Sequence, residues 1–245
     1  MSNIPGFQPF APVGVTADGL RKSSLDPFLS RSNYFDGKLL KASDLIRDQQ
    51  YFDERLLQAG RAVGAGVVGG LLATLEGQRY IRVTPGLAIT RSGRILELTH
   101  NLDVDLTDRA LIASINEPAI RYLNRGLYAV VLRYTEKGVG LAETYPDDIA
   151  KVAEPKINSY EEGVELVLVP LRQAYPAAGE LAARAALAQS FLSYRQPLSE
   201  IPDDGVALAL LAVDNNLGQW LDRLLLYRPL SVLQSAHPFK ALLNL

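Results

Sequence analysis

The chain holds two histidines, His100 and His237, and no cysteine. Thiolate metal sites, disulfides and a cysteine nucleophile are therefore excluded. A histidine-based metal site or a Ser-His-Asp relay would have to be gathered from distant loops, because each histidine stands alone in its stretch. Carboxylates come in pairs: Asp103 with Asp105, Asp147 with Asp148, Glu161 with Glu162, and Asp203 with Asp204. Such pairs cleave glycosides or hold hard cations only when a rigid cleft aims them. Asp103 to Asp108 shows the alternating acids of a calcium loop but lacks its glycine at position six and its glutamate at position twelve. Loop solvation or turn capping is the expected role of each pair.

Gly64-Ala65-Gly66-Val67-Val68-Gly69 spells G-x-G-x-x-G. A dinucleotide loop needs a strand before it and a helix after it, so that the helix amino terminus meets the pyrophosphate. Here the predicted order is helix then strand, and the glycines are read as close packing of helix against sheet. The chain has no G-x-S-x-G elbow, Walker A loop or H-E-x-x-H helix. No catalytic, cofactor-binding or metal-binding residue is expected, and the chain is read as no enzyme.

The elements that carry these residues are predicted as follows. Leu45, Phe52, Leu56, Ala59 and Val63 form one apolar stripe of a helix over about 43–63. Ser43 or Asp44 would cap it, and glycine between Gly60 and Gly64 would end it. Beyond Gly66 the pattern turns to short strands. Thr84-Pro85-Gly86-Leu87 reads as a type II turn with Gly86 at positive φ, and Arg91 to Arg94 reads as a hairpin loop. Leu127–Tyr134 and Val164–Leu171 are predicted strands, and the polar stretch from Thr135 to Glu162 reads as a long loop. Leu181 to Tyr194 is an Ala-rich helix. Val206–Val213 and Trp220–Tyr227 flank a hairpin loop at Asp214 to Gly218.

The predicted fold is mainly β, a sandwich or barrel-like set of antiparallel hairpins, with one amphipathic amino-terminal helix and one shorter Ala-rich helix. Residues 1–33 read as an extended arm, 34–230 as the β-rich core domain and 231–245 as a carboxyl-terminal tail. The 245 residues are 48% hydrophobic and 21% charged, enough to bury a sizeable core. A net charge of -2, with no basic run, gives no drive toward nucleic acid. The longest apolar stretch, Val206 to Val213, is too short for membrane insertion, and the amino terminus has no secretory pattern.

Asn33-Tyr34-Phe35-Asp36-Gly37-Lys38-Leu39-Leu40-Lys41-Ala42-Ser43-Asp44, followed by Gln49-Gln50-Tyr51-Phe52, resembles a phrase of proteins associated with phage tails and contractile injection systems. In that family a G-V-V-x-G-L strand follows, matched by Gly66 to Leu71. A V-x-P-G-x-A segment comes next, matched by Val83 to Ala88 and continuing to Gly93 and Ile95. The opening also resembles the start of the baseplate trimer subunit of type VI secretion systems, which is similar to receptor-binding-protein shoulder domains of tailed phages. The resemblance covers about residues 31–98 and carries no catalytic residue. It implies a structural component of a phage-tail or contractile-injection baseplate that connects subunits or fibres. Its partners would be copies of itself, a trimer being the leading arrangement, and other baseplate or tail subunits. It would sit in a virion or phage-tail-like particle assembled in the bacterial cytoplasm. The alternative is a receptor- or carbohydrate-binding adaptor at the tail tip. The interface candidates are Phe7, Phe10, Phe28, Tyr34, Phe35, Phe239, Leu242 and Leu243. Leu39 and Leu40 are expected to pack beside the helix start.

Overall fold

The computed structural model describes residues 29–115, 123–142, 155–172, 175, 181–182, 184–187 and 200–230. The chain divides inside its first helix into two compact units, Met1–Arg55 and Leu56–Leu245. The first helix, α1, is continuous over Ala42–Val63. Its start differs from the expected cap. The Asp44 carboxylate accepts a hydrogen bond from the Lys41 amide at 3.2 Å, and the Asp44 amide donates to the Lys41 carbonyl at 2.9 Å. Asp44 therefore occupies the third helical position and reaches back, as the acidic member of a capping box does. Neither Ser43 nor Asp44 is the N-cap. The helix ends as expected: Gly64 has φ +103° and its amide bonds the Gly60 carbonyl at 3.0 Å.

Among the described residues ten strands follow in the second unit, and each pairing between them is antiparallel. The fold is mainly β, as the hairpin-rich sequence predicts. Strands β1 (Gly66–Gly70) and β2 (Ala73–Glu76) run outward, and β3 (Tyr80–Val83) and β4 (Gly86–Ile89) return alongside them. This long hairpin bends in the middle. Its near half joins β5 (Ile95–Leu98) in the sheet β1-β4-β5, and its far half joins β6 (Leu102–Asp105) in the sheet β2-β3-β6.

The bend is built by four residues. Leu71 takes a left-handed φ of 54° and is fully buried; its amide bonds the Pro85 carbonyl at 3.2 Å. The Leu72 amide bonds the Thr84 hydroxyl at 3.0 Å in place of a ladder partner. A Cβ on Gly70 would overlap the Pro85 carbonyl, and one on Gly86 would overlap the Gly69 carbonyl. Gly86 is absent from the positive-φ residues and opens β4. The predicted type II turn at 84–87 is thus replaced by a sheet corner, in which Gly86 serves backbone approach and not φ > 0.

After α2 (Arg109–Ile115), strands β7 (Gly126–Ala142), β8 (Lys156–Pro170), β9 (Gly205–Asp214) and β10 (Leu217–Asp222) form a sheet in the order β10-β9-β7-β8. Tyr128, Val130 and Leu132 face one buried cluster, shared with Leu71, Ile81, Leu96 and Leu106. Leu127, Ala129 and Val131 face a second, with Leu210, Trp220 and Leu226. A sheet covered on both faces explains the continuous apolar run of β9. Leu187 also packs into the second cluster. Residues 181, 182 and 184–187 are helical, and the rest of the predicted Ala-rich helix lies outside the described residues.

The largest departure is the stretch read as a long loop. Thr135–Ala142 and Lys156–Glu162 are strand, paired from Thr135↔Gly163 to Ala142↔Lys156. β9 pairs β7 only up to Arg133, so among the described residues this part is a two-stranded ribbon without a buried face. Polar residues can line both sides of such a ribbon, which removes the alternation that betrays a strand. Residues 143–154 lie outside the described residues. At the other end, β10 stops at Asp222 because its carboxylate accepts the Leu224 and Leu225 amides at 2.9 and 3.3 Å. The β9–β10 loop is as predicted, with Asn215 and Asn216 at φ 51° and 60°.

Gly60, the buried residue of α1, lies against the β4–β5 turn: a Cβ there would overlap the Gly93 carbonyl. Gly60→Ala should therefore destabilise the protein by about 1–3 kcal/mol. Gly69→Ala, with nothing within 4 Å of its Cβ position, should stay within about 1 kcal/mol of the parent. Chemical denaturation of the two variants reads the difference.

Candidate assembly surface

In the first unit, residues 31–38 are laced onto the start of α1. Asp44 and Asp48 stand four residues apart, so both carboxylates project from one helix face. The Ser32 amide donates to one Asp48 oxygen at 2.8 Å, and the Tyr34 hydroxyl donates to the other at 2.5 Å. The Ser32 hydroxyl donates to the Asp44 carbonyl at 2.9 Å. The Lys38 ammonium donates to the Asp44 carboxylate at 3.0 Å and to the Asn33 carbonyl at 3.1 Å. That ammonium also lies 5.1 Å from the centre of the Tyr34 ring. Asp36-Gly37 makes the expected turn, closed by the Lys38 amide on the Phe35 carbonyl at 3.1 Å, with Gly37 at φ 85°.

These contacts set the protonation of the group. The hydrogen bond from Lys38, then that from the Lys41 amide, holds the Asp44 carboxyl below its ordinary range. The Tyr34 hydroxyl, then the Ser32 amide, does the same for Asp48. The bond to Asp48 pushes the Tyr34 phenol upward in turn.

The polar groups of the segment thus turn onto the helix, and its apolar groups turn away. Phe35 is 65% exposed, Leu39 79% and Leu40 56%. The expectation that Leu39 and Leu40 pack at the helix start is overturned, because the clamp of hydrogen bonds uses the face they would need. Tyr34 is half exposed with its hydroxyl pinned. The helix follows the same rule. Leu45, Phe52, Leu56, Ala59 and Val63 share one stripe, and all of them are exposed. Of the other interface candidates, Phe7, Phe10, Phe28, Phe239, Leu242 and Leu243 lie outside the described residues.

In the second unit the residues suspected of chemistry are otherwise engaged. Asp103 and Asp105 lie on strand β6, not on a solvated loop. Arg82 forks onto Asp103 at 2.7 and 3.0 Å and reaches Glu76 at 2.9 Å; Arg79 bonds Asp105 at 2.7 Å. Arg79, then Thr107, holds the Asp105 carboxyl far below the usual range. Asp108 accepts the Ala110 and Leu111 amides at 2.9 and 3.1 Å and so caps α2. Asp203 pairs with Arg91 at 3.1 Å. Glu161 and Glu162 stand on the ribbon, and Asp147 and Asp148 lie outside the described residues. Among the described residues no cluster of three or more acids and histidines could hold a metal ion. His100 is exposed, its Nδ1 2.8 Å from the Thr99 hydroxyl, and His237 lies outside the described residues.

The G-x-G-x-x-G glycines have separate duties. Gly64 ends α1, and Gly66, at φ 152°, admits the Arg228 carbonyl, which would stand 2.9 Å from a Cβ. Gly69 has open space. The helix-to-sheet approach expected of the motif is made by Gly60, outside it.

Sequence reasoning missed the ribbon. Leu141, Ile157 and Tyr160 are 73, 50 and 63% exposed on it. The signal available was the 137–139–141 spacing of Lys, Val and Leu opposite Ile157, Ser159 and Glu161. At the ribbon's root, burial and then Glu162 push the Tyr134 phenol up to about 12, and the Arg94 guanidinium lies 4.2 Å from its ring centre.

No family model matches the chain, and no curated protein matches it. Among solved structures it is similar to a chain of the type VI secretion TssK–TssF–TssG baseplate subcomplex seen by cryo-electron microscopy, at 12% identity and a TM-score of 0.37, over 79% of this chain and 60% of that one. It is also similar to TssK in a crystal structure, at 13% identity and a TM-score of 0.41, over 79% and 41%. A third is a chain of the type VI secretion baseplate complex, at 12% identity and a TM-score of 0.34, over 80% and 40%. This chain thus spans 40–60% of the length of these three chains. No helix among the described residues is long and apolar enough to cross a membrane.

The clamp gives a prediction with a definite sign. Asp44 and Asp48 titrate lower when folded than unfolded, so their contribution is complete above the unfolded carboxyl value near 4 and is lost as pH falls below it. Hydrogen exchange at residues 32–38, corrected for the intrinsic rate, should accelerate between pH 4 and pH 2 relative to β7. Asp48→Asn should produce the same loosening at neutral pH.

Proposed function

We propose that the chain is a structural, non-enzymatic assembly subunit of a phage-tail-like or contractile-injection baseplate, joining other subunits or fibres. The observation that carries this reading is the disposition of the segment bearing the family resemblance. Its polar groups are spent internally, on Asp44 and Asp48, while Phe35, Leu39 and Leu40 stand exposed beside one another in sequence. Apolar groups held outward by a polar clamp make a surface for protein contact, not a cleft for chemistry. The other two parts of the resemblance are constructional. G-V-V-x-G-L is strand β1 with the corner residues Gly70 and Leu71, and V-x-P-G is the opposite side of that corner.

The carboxylates Asp103, Asp105 and Asp203 support the same reading. Asp103, Asp105 and Asp203 are each committed to an arginine, so none is left as an acid–base couple in a concave site. In this role the β-rich unit is a shoulder-like platform, the chain assembles with copies of itself as a trimer, and it resides in the particle.

Particles purified from the producing cells test this directly. The chain should sediment with sheath, tube or spike subunits encoded beside it. A Phe35→Glu, Leu39→Glu variant should keep its circular dichroism and Tm, since both side chains are exposed. Its abundance in particles should nevertheless fall at least tenfold. Normal incorporation of that variant would remove the surface from the account, and particles lacking the wild-type chain altogether would overturn the function.

A further inference from the structure

Strand β8 ends the four-stranded sheet, and its two halves differ. In the lower half, Leu166 and Leu168 share a buried cluster with Leu96 of β5 and Ile112 of α2. In the upper half, every residue from Lys156 to Gly163 is exposed, and no described strand lies along its outer edge. Such an edge offers a row of unpaired amide and carbonyl groups, which proteins ordinarily cover or interrupt. Here nothing interrupts it: residues 156–169 contain no proline, and no residue of β8 has a positive φ. The other strand of the ribbon, β7, is broken by Gly140 at φ 68°.

The charges on β8 decide what fits its edge. Lys156 stands toward the ribbon's tip, and Glu161 and Glu162 stand at its root. Within the chain, Glu161 faces Lys137 across the ladder, but Glu162 faces Glu136 and Lys156 faces Ala142. Like charges placed directly opposite weaken a ladder. Among the described residues neither Lys156 nor Glu162 belongs to an ion pair. A second β8 laid antiparallel, with its Ser159 against this Ser159, brings each Lys156 opposite the other copy's Glu162. The match occurs twice by symmetry, and each time it sets a cation beside the Glu136–Glu162 pair. Parallel pairing would set lysine on lysine and glutamate on glutamate. β7 has no equivalent: Glu136 and Lys137 both lie at its root, and residues 138–142 are uncharged.

We propose that the β8 edge from Lys156 to Glu162 pairs antiparallel with the same edge of a second copy, about a two-fold axis at Ser159. Two ribbons then become one four-stranded sheet. A contact of this symmetry joins chains in pairs, so within the trimeric assembly proposed above it would link one trimer to the next. The inference does not depend on the baseplate reading, and it can fail or stand separately.

The absence of cysteine makes the test clean. Directly opposite residues of an antiparallel pair have Cα atoms about 4.5–5.5 Å apart, within disulfide reach. In the full chain at about 100 μM, a concentration suited to a small contact, Ser159→Cys should form an inter-chain disulfide under mild oxidation. Leu141→Cys, exposed on β7 of the same ribbon, should do so at least tenfold more slowly. Adding Lys156→Glu to Ser159→Cys should slow the cross-link at least tenfold. Adding Glu162→Lys as well should restore it to within threefold, because the pairs re-form with their signs exchanged. Circular dichroism should be the same for all variants, since every altered side chain is exposed. Equal rates at residues 141 and 159, indifference to Lys156→Glu, or no recovery in the charge-exchanged variant would each overturn the proposal. Edge amides of 156–162 fully protected from exchange in a dilute monomer would assign the edge to another part of the same chain, and would overturn it too. Pairing by a chain absent from any particle would uphold the contact and remove only the baseplate function.

Discussion

The β-rich unit depends on one constraint, the backbone contact at the corner where Gly70 and Gly86 cross. One long hairpin has to serve two sheets, and its strands can change sheets only if they bend together. The two glycines let the backbones close to distances that any Cβ would block, and Leu71 accepts a left-handed φ in exchange for complete burial. A single left-handed residue of this kind costs roughly 1–2 kcal/mol, and burying a leucine side chain returns about 1.5–3 kcal/mol. The balance favours the bend only because the core sits on its inner side. From that bend follow the separate third strands β5 and β6, and the packing of both small sheets against one face of the four-stranded sheet.

The amino-terminal segment obeys the reverse logic. Hydrogen bonds and one ion pair fix it to α1, and apolar burial does not. A single ion pair near the surface contributes little by itself. The clamp gains from sharing: each aspartate serves two or more donors, so the loss of one contact leaves others in place. The arrangement holds aromatic and aliphatic groups in fixed positions at the surface without asking the chain's own core to receive them.

How much of this was legible in the sequence depended on whether a residue's role was local. The helix, its glycine end, the 91–94 and 214–218 hairpins and the mainly β class all follow from periodicity and turn chemistry, which act over a few residues. Gly86 was misread because Pro-Gly is also a turn signal; only the strand crossing beside it shows that its missing side chain, and not its φ, is what matters. Asp44 was misplaced by three residues because an N-cap and the third position of a capping box accept similar side chains. The ribbon was missed because strand prediction relies on one buried face, and Thr135–Ala142 has none. The direction of the helix stripe could not be read at all. Amphipathicity reports that a helix has two sides, not which of them its own chain will cover.

The ribbon has a mechanical consequence. Between Thr135 and Ala142 its strands are joined to each other and to no third strand among the described residues, over roughly 26 Å at about 3.3 Å per residue. Its cross-strand hydrogen bonds lie perpendicular to the chain direction. Opposed pulls on the two strands along their length would load those bonds together, in shear. Prising the two tips apart would load the outermost pair first, then the next, like a zipper. The same ribbon is therefore stiff to one direction of force and compliant to another, and the way a partner grips it would decide which behaviour the protein shows.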